Sequence, residues 1–172
     1  MRVLVLIGFL SITLVATPPA SAQESFAGFI IGLRDVCSQQ PARSCTGRVS
    51  AFLDSDNDNR ITLQEVQAVR AAAQTTVRDK ASGLNGAERT SVWVGLLALP
   101  TANIATVFAN FDSDRDGSLS EAELFADFRL DQRPLAKIVA DPDSVNWTAL
   151  ATRFGEIGLF LLKLLPANRR GN

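Results

Sequence analysis

The feature that most constrains the fold is a twelve-residue acidic pattern that occurs twice, beginning at Asp54 and at Asp112, 58 residues apart (112 − 54). Each copy has Asp at positions 1, 3 and 5 and Glu at position 12. Alternating carboxylates in a loop of this length can wrap around a hard cation, which takes about six to eight oxygen ligands. The sequence therefore predicts two metal-binding loops, loop 1 (residues 54–65) and loop 2 (residues 112–123), each lying between helices.

The two loops offer matching sets of oxygen ligands for Ca²⁺. Positions 1, 3 and 5 supply carboxylates, position 7 a backbone carbonyl, position 9 a hydroxyl that acts through water, and position 12 a bidentate carboxylate. In that order the predicted ligands are Asp54, Asp56, Asp58, Arg60, Thr62 and Glu65 in loop 1, and Asp112, Asp114, Asp116, Ser118, Ser120 and Glu123 in loop 2. Two bound Ca²⁺ ions are expected.

These residues match the EF-hand motif position by position, so the chain resembles an EF-hand calcium-binding protein around both loops. The resemblance implies that the aliphatic residues at position 8, Ile61 and Leu119, face each other in a short antiparallel pairing. It also implies a positive φ at position 6, which Gly117 adopts freely and Asn59 adopts at low cost. We expect both loops to bind Ca²⁺, loop 1 more weakly than loop 2.

Elsewhere the apolar residues recur at intervals of three and four, which predicts an all-α fold. The expected elements are an N-terminal helix at 25–36, hand 1 at about 45–80, an inserted helix at 88–99, hand 2 at about 101–131 and a C-terminal helix at about 144–165. Asp143 or Ser144 can cap the last helix. Its second half, Leu159 to Leu165, is apolar around most of its circumference, which favours a buried core helix. The alternative is a docking surface for a partner or a membrane.

The N-terminus has the pattern of a cleaved signal peptide, residues 1–22. A positive start and an apolar run precede a small-residue cleavage site at residues 20–22. The apolar run has about fourteen residues, fewer than the ~20 that span a bilayer. We therefore expect an exported chain, periplasmic or secreted, in which residues 23–172 form one domain. In such a compartment Cys37 and Cys45 are expected to form a disulfide.

The composition argues against several classes of function. The chain has no His, and eight of its 18 acidic residues lie in the two loops, so few groups remain for catalysis and no enzyme or small-molecule substrate is expected. A net charge of −1 with no basic face argues against nucleic acid. The one Met, at position 1, argues against a Met-rich sensor groove.

Three roles remain. We favour a calcium-stabilised or calcium-responsive module for one specific protein partner. The alternatives are a passive calcium buffer or structural protein, and a membrane-surface subunit docked by its C-terminal helix.

Overall fold

A computed structural model describes residues 24–98 and 103–164. The predicted signal peptide lies outside these ranges. The fold is mostly helical, which confirms the all-α class. In chain order the elements are α1 (Phe26–Gln39), α2 (Ala42–Leu53), β1 (Ile61–Thr62), α3 (Leu63–Arg78), α4 (Gly86–Ala98), α5 (Ile104–Phe111), β2 (Ser118–Leu119), α6 (Glu121–Leu124), α7 (Leu135–Ala140), a 3-10 turn (Pro142–Ser144), α8 (Trp147–Arg153) and α9 (Gly155–Leu164).

The first two helices form a hairpin that the predicted disulfide closes. Cys37 near the end of α1 is bonded to Cys45 of α2, with their Cα atoms 4.8 Å apart, which confirms the pairing expected from the sequence. Farther along the hairpin, Phe29 of α1 and Phe52 of α2 stack with ring centroids 3.8 Å apart. The hairpin therefore fixes the direction in which α2 enters loop 1.

Two helix–loop–helix units follow, unit 1 (α2, loop 1 and α3) and unit 2 (α5, loop 2 and α6). Their main shared core contains the buried side chains Ile61, Val107, Phe108, Phe111 and Leu119. Burial of these apolar side chains is the main favourable term that holds the two loops side by side. The predicted inserted helix is α4, which lies between the units in sequence and packs against α3.

The exit helix of unit 2 is much shorter than predicted. The sequence predicts helix to about residue 131, but α6 ends at Leu124. The backbone that follows pairs instead with the segment before α8: Arg129 N donates to the carbonyl of Ser144 (2.8 Å), and Asn146 N donates to the carbonyl of Asp127 (2.8 Å). Because each backbone group needs one partner, this long-range pairing replaces the helical bonds at these positions.

The single C-terminal helix predicted for residues 144–165 is wrong, because the chain forms two helices there. Asn146 caps α8 by accepting a hydrogen bond from Ala149 N (3.0 Å), and the chain breaks at Gly155, whose φ is +67°. α9 then packs closely on α8: a Cβ atom on Gly158 would lie 2.1 Å from the carbonyl oxygen of Ala151. Only glycine permits this approach.

The predicted cap residues and the apolar end of this region also differ from expectation. Asp143 and Ser144 lie in the 3-10 turn before α8 and cap no α-helix. Leu159 and Phe160 of α9 are 43% and 61% exposed, so the buried position favoured for this stretch is wrong for these two residues. Within the described ranges, no helix combines the length and apolar character needed to cross a bilayer.

Candidate metal centre

Both loops bend at the same positions. The residues at position 6, Asn59 and Gly117, have φ angles of +64° and +85°, as the resemblance implied. The residues at position 4, Asn57 and Arg115, also have positive φ, at +60° and +62°. Sequence reasoning missed position 4, where Asn57 is a residue type that favours this region and Arg115 gives no such signal.

The two loops are joined by a two-residue antiparallel ladder. Ile61 pairs with Leu119 and Thr62 pairs with Ser118. The side chains of Ile61 and Leu119 are 2% and 3% exposed, so the ladder is anchored in the shared core. The predicted contact between the two position-8 residues is therefore present.

Three carboxylates converge in each loop. In loop 1 they belong to Asp54, Asp56 and Asp58, whose ligand oxygens lie within 4.8 Å of one another. Burial, and then the nearby Asp58, Glu65 and Asp54 carboxylates, raise the pKa of Asp56 above its ordinary value, although the Asp58 N–H acts in the opposite direction. Converging hard oxygen donors that disfavour one another's charge fit a divalent cation of the Ca²⁺ type.

In loop 2 the converging carboxylates belong to Asp112, Asp114 and Glu123. Asp112 also organises the loop backbone, because its two carboxylate oxygens accept from Asp116 N (3.1 Å) and Gly117 N (3.0 Å). Asp54 has the same role in loop 1, where its carboxylate oxygens accept from Asp58 N and Asn59 N. The first position therefore shapes each loop as well as offering a ligand oxygen.

The Glu at position 12 of loop 2 is held in place from two sides. One oxygen of Glu123 accepts from the backbone N–H (2.8 Å) and the hydroxyl (3.0 Å) of Ser113, and the other accepts from Ser120 N (2.9 Å). Burial opposes ionisation of Glu123, but the bonds from Ser120 and Ser113 outweigh it and lower its pKa to about 2. The carboxylate is therefore ionised and oriented toward the loop at neutral pH.

Glu65 has the same arrangement in loop 1. It accepts from Ser55 N (2.6 Å) on one oxygen and from Thr62 N (2.8 Å) on the other, and these bonds lower its pKa against the opposing effect of burial. Sequence reasoning missed the two serines at position 2, Ser55 and Ser113. Their signal was the repeated Asp-Ser-Asp that opens both loops.

The residues at position 9 serve as helix caps. Thr62 and Ser120 each accept from the backbone N–H of the position-12 Glu, and that Glu accepts from their own N–H, so each pair forms a capping box. The predicted ligand at position 9 is thus fixed to the predicted ligand at position 12 in both loops.

The side chain of Arg60 has a role that the sequence did not reveal. Only its carbonyl was predicted as a ligand, but its guanidinium donates to Asp116 of the other loop (2.9 Å). Asp116 also accepts from the hydroxyl (2.7 Å) and N–H (2.8 Å) of Ser118. The Ser118 bonds and then the Arg60 charge lower the pKa of Asp116, against the effect of burial.

The apolar side of unit 2 is covered by α8. The ring of Phe154 packs edge-on against Phe111 with centroids 5.5 Å apart, and the Arg153 guanidinium lies 5.1 Å from the Phe111 centroid. Arg153 also pairs with Asp127 (2.8 Å), and Asn110 donates to the carbonyl of Arg153 (2.9 Å). The chain itself therefore occupies the surface beside loop 2.

Comparison with known proteins supports the assignment of loop 2 as a metal-binding loop. A family model described as EF hand matches residues 104–124, which span α5, loop 2, β2 and α6. Neither the curated proteins nor the solved structures gave a match. The family match and the two acidic groups together point to calcium as the metal.

Proposed function

We propose that the protein binds two Ca²⁺ ions, one in each loop, and that these ions stabilise its fold. The proposal rests on one observation: loop 1 repeats the carboxylates, left-handed residues and capping box of loop 2. Loop 2 is the one that the EF-hand model matches. The same ligand types, backbone bends and capping box support the same chemistry in both loops, although different carboxylates converge in each and the family match covers loop 2 alone.

Each ion would be held by the ligands predicted from the sequence. The chemistry that Ca²⁺ supplies is positive charge, which offsets the repulsion among the converging carboxylates. The chain's own contribution is to orient those oxygens, through the bonds from Ser55 and Thr62 to Glu65 and from Ser113 and Ser120 to Glu123.

The packing of α8 favours a stabilising role over that of a switch. A calcium sensor of this family opens a groove for its partner when the ion binds. In unit 2 the equivalent apolar surface is already covered by Phe154 and its neighbours in α8. Outside the cytosol even sites with dissociation constants of about 10⁻⁴ to 10⁻³ M are occupied, so both ions would be permanent parts of the fold.

Export and a partner remain part of the proposal. The Cys37–Cys45 disulfide is compatible with an oxidising compartment such as the periplasm or the extracellular space. The exposed Leu159 and Phe160 support a contact made by α9. We propose one protein partner as its occupant, with docking on a membrane surface as the alternative.

A calcium titration of the purified protein, with its disulfide intact, tests the proposal. Heat of binding would be followed together with thermal melting and the fluorescence of a dye that reports exposed apolar surface. We expect two binding events, a large rise in melting temperature and no rise in dye fluorescence. One binding event would remove loop 1 from the proposal, and none would overturn it. A strong dye signal on calcium addition would replace the stabilising role with a sensor role.

A further inference from the structure

The first turns of α2 are fixed by groups that lie outside unit 1. Ala42, Cys45 and Thr46 share one face of this helix and are 0%, 1% and 0% exposed. The backbone N–H of Ala42 donates to the carbonyl of Arg133 (2.9 Å), and the Ala42 side chain packs against Ile138 of α7. The helix that enters loop 1 is therefore anchored at its far end by later segments of the chain.

Thr46 connects α2 of unit 1 to α6 of unit 2. Its hydroxyl donates to a carboxylate oxygen of Glu121 at 2.7 Å, whereas the Arg43 carbonyl lies farther away, at 3.3 Å. A hydroxyl has one proton to donate, and a carboxylate accepts a stronger hydrogen bond than a neutral group does. The buried hydroxyl of Thr46 is therefore committed to the exit helix of the other unit.

The acceptor, Glu121, lies close in sequence to a predicted calcium ligand. It precedes Glu123, the position-12 residue of loop 2, by two positions, and both belong to α6. This helix contains only four residues, so its own hydrogen bonds give it little stability. Its position depends on tertiary contacts, which include the bond from Thr46 and the packing of Leu124 on the shared core.

On the other side of Thr46 is the disulfide. Cys45, the preceding residue, is bonded to Cys37 of α1, which pins the turn of α2 that carries the Thr46 hydroxyl. Cys45 is buried, whereas Cys37 is half-buried and lines an open apolar groove between α1, α3 and α4. A small reductant therefore reaches the disulfide from the Cys37 side.

We propose that Thr46 is a positioning residue that links the Cys37–Cys45 disulfide to calcium binding in loop 2. With the disulfide intact, α2 holds Thr46 against Glu121, so less conformational freedom is lost when Glu123 closes on the ion. With the disulfide reduced, the first turns of α2 gain freedom, and α6 must be ordered when calcium binds. This proposal rests on the calcium binding proposed above and adds a redox control to loop 2.

The redox step is an exchange between the disulfide and a dithiol. A thiolate of the dithiol attacks Sγ of Cys37, the S–S bond breaks, and Cys45 leaves as a thiolate that takes up a proton. The second thiolate of the dithiol then attacks the reductant sulfur bound to Cys37, which releases Cys37 as a thiol. The dithiol becomes a cyclic disulfide, and the two electrons and two protons that it loses are gained by the protein.

The coupling acts in both directions. If reduction weakens calcium binding in loop 2 by a given factor, calcium must make the disulfide harder to reduce by the same factor. We expect a factor of about five, which is at the lower end of the range for coupled sites. Two independent measurements should therefore give one number.

The variant Glu65→Gln supplies a background in which loop 2 is the tight site. Calorimetry on its oxidised form, and on the form reduced by excess dithiothreitol, should show calcium affinity about fivefold lower after reduction. Saturating calcium should raise by the same factor the ratio of reduced to oxidised dithiothreitol that half-reduces the protein. Equal affinities in the two redox states would overturn the proposal. Absence of calcium binding in the parent protein would overturn the proposed function as well.

Substitutions at Thr46 separate this link from a general loss of stability. Thr46→Val keeps the branched shape and removes the hydroxyl, so we expect the oxidised and reduced forms to bind calcium with equal affinity. Thr46→Ser retains the hydroxyl and should restore the fivefold difference. A redox dependence that persists in Thr46→Val would come from destabilisation alone and would overturn the proposal. Loss of the redox dependence in Thr46→Ser would also overturn it, because the hydroxyl would not be the cause.

The acceptor is tested from the other side of the bond. Glu121 is exposed and is not among the predicted ligands, so its side chain can be changed without creating a buried cavity. Glu121→Ala removes the acceptor and should abolish the redox dependence, whereas Glu121→Gln retains an acceptor oxygen and should preserve it. The ratio of affinities in the two redox states is compared, because both variants lose the same charge. The same ratio in Glu121→Ala as in the parent would overturn the proposal.

Discussion

Arg60 of loop 1 and Asp116 of loop 2 form an ion pair across the two paired loops, with Nη2 and Oδ2 2.9 Å apart. The two side chains are 54% and 41% exposed, so solvent screens the pair and its direct contribution to the stability of the fold is small. The positive charge of Arg60 matters more than its bond to Asp116, because it lies among the eight acidic residues of the two loops. Without calcium this cation offsets repulsion, and with calcium it competes with the ion.

Arg60→Gln should therefore have opposite effects in the two states. We expect a lower melting temperature without calcium and a calcium affinity that is about two- to fivefold higher, since a screened positive charge near the sites has been removed. Calorimetry and thermal melting measure both. Arg115→Gln is the control, because it removes the same charge from loop 2 without touching the Arg60–Asp116 pair. If the two variants changed the melting temperature and the calcium affinity equally, the Arg60–Asp116 contact would have no effect beyond that of the positive charge itself.

Glu65→Gln and Glu123→Gln should each remove one calcium site. Gln keeps the capping box, so the exit helix is retained, but it loses the second carboxylate oxygen that a bidentate ligand supplies. We expect each variant to bind one ion with near-normal affinity and the other roughly a hundredfold more weakly. Unchanged stoichiometry in both variants, measured by calorimetry, would refute the ligand assignment.

Phe154→Ala should uncover unit 2. The half-buried Phe154 ring packs against Phe111, so its loss should cost about 2 kcal/mol, below the range for a fully buried ring, and raise the fluorescence of an apolar-surface dye. Urea denaturation measures the free energy of unfolding. The control is Phe160→Ala, because that ring is 61% exposed and its removal should change stability by less than about 0.5 kcal/mol. Equal changes in stability and dye fluorescence in the two variants would contradict the packing of Phe154, at the end of α8, over the apolar surface of unit 2.

Removal of the disulfide should destabilise the protein without abolishing calcium binding. The bond closes a loop of nine residues, for which chain entropy predicts a loss of about 2.5 kcal/mol when Cys37→Ser and Cys45→Ala are combined. Cys45 is buried, so alanine is used there to avoid an unpaired hydroxyl. Urea denaturation with and without calcium measures the loss, and a variant as stable as the parent would show that the hairpin is held by packing alone.

Asp141→Asn should remove a contribution to stability that depends on pH. Arg133, at 2.7 Å from Asp141, and then Ser144 lower the pKa of Asp141 to about 2, from an ordinary value of 3.8. Since the folded-state pKa is depressed, the contribution is complete above about pH 4 and is lost as the pH falls through 2. Without calcium the variant should melt a few degrees lower at pH 6 and at nearly the same temperature as the parent at pH 2. A constant difference over this range would contradict the linkage.

The loops could be predicted closely because their information is local. A twelve-residue ligand pattern needs only neighbours in sequence, so the predicted position-6 turns, the position-8 pairing and the helices that enter both loops agree with the structure. The serines at position 2 and the Arg60 guanidinium were missed, because a ligand pattern identifies Glu65, Glu123 and Asp116 as metal ligands and does not show which groups donate hydrogen bonds to them. Their hydrogen bonds depend on how each loop closes.

The sequence by itself determined the helical class, the two acidic loops and the disulfide, since each follows from residue type and short-range spacing. Only the tertiary structure decided where α6 stops, that the C-terminal helix breaks at Gly155, and that α8 covers unit 2. Helical periodicity through residues 125–131 and 145–165 is locally satisfactory. A continuous helix does not form there, because the backbone pairing of Asp127 with Asn146 and the close packing at Gly158 are more favourable. Both contacts exist only after segments distant in sequence have come together.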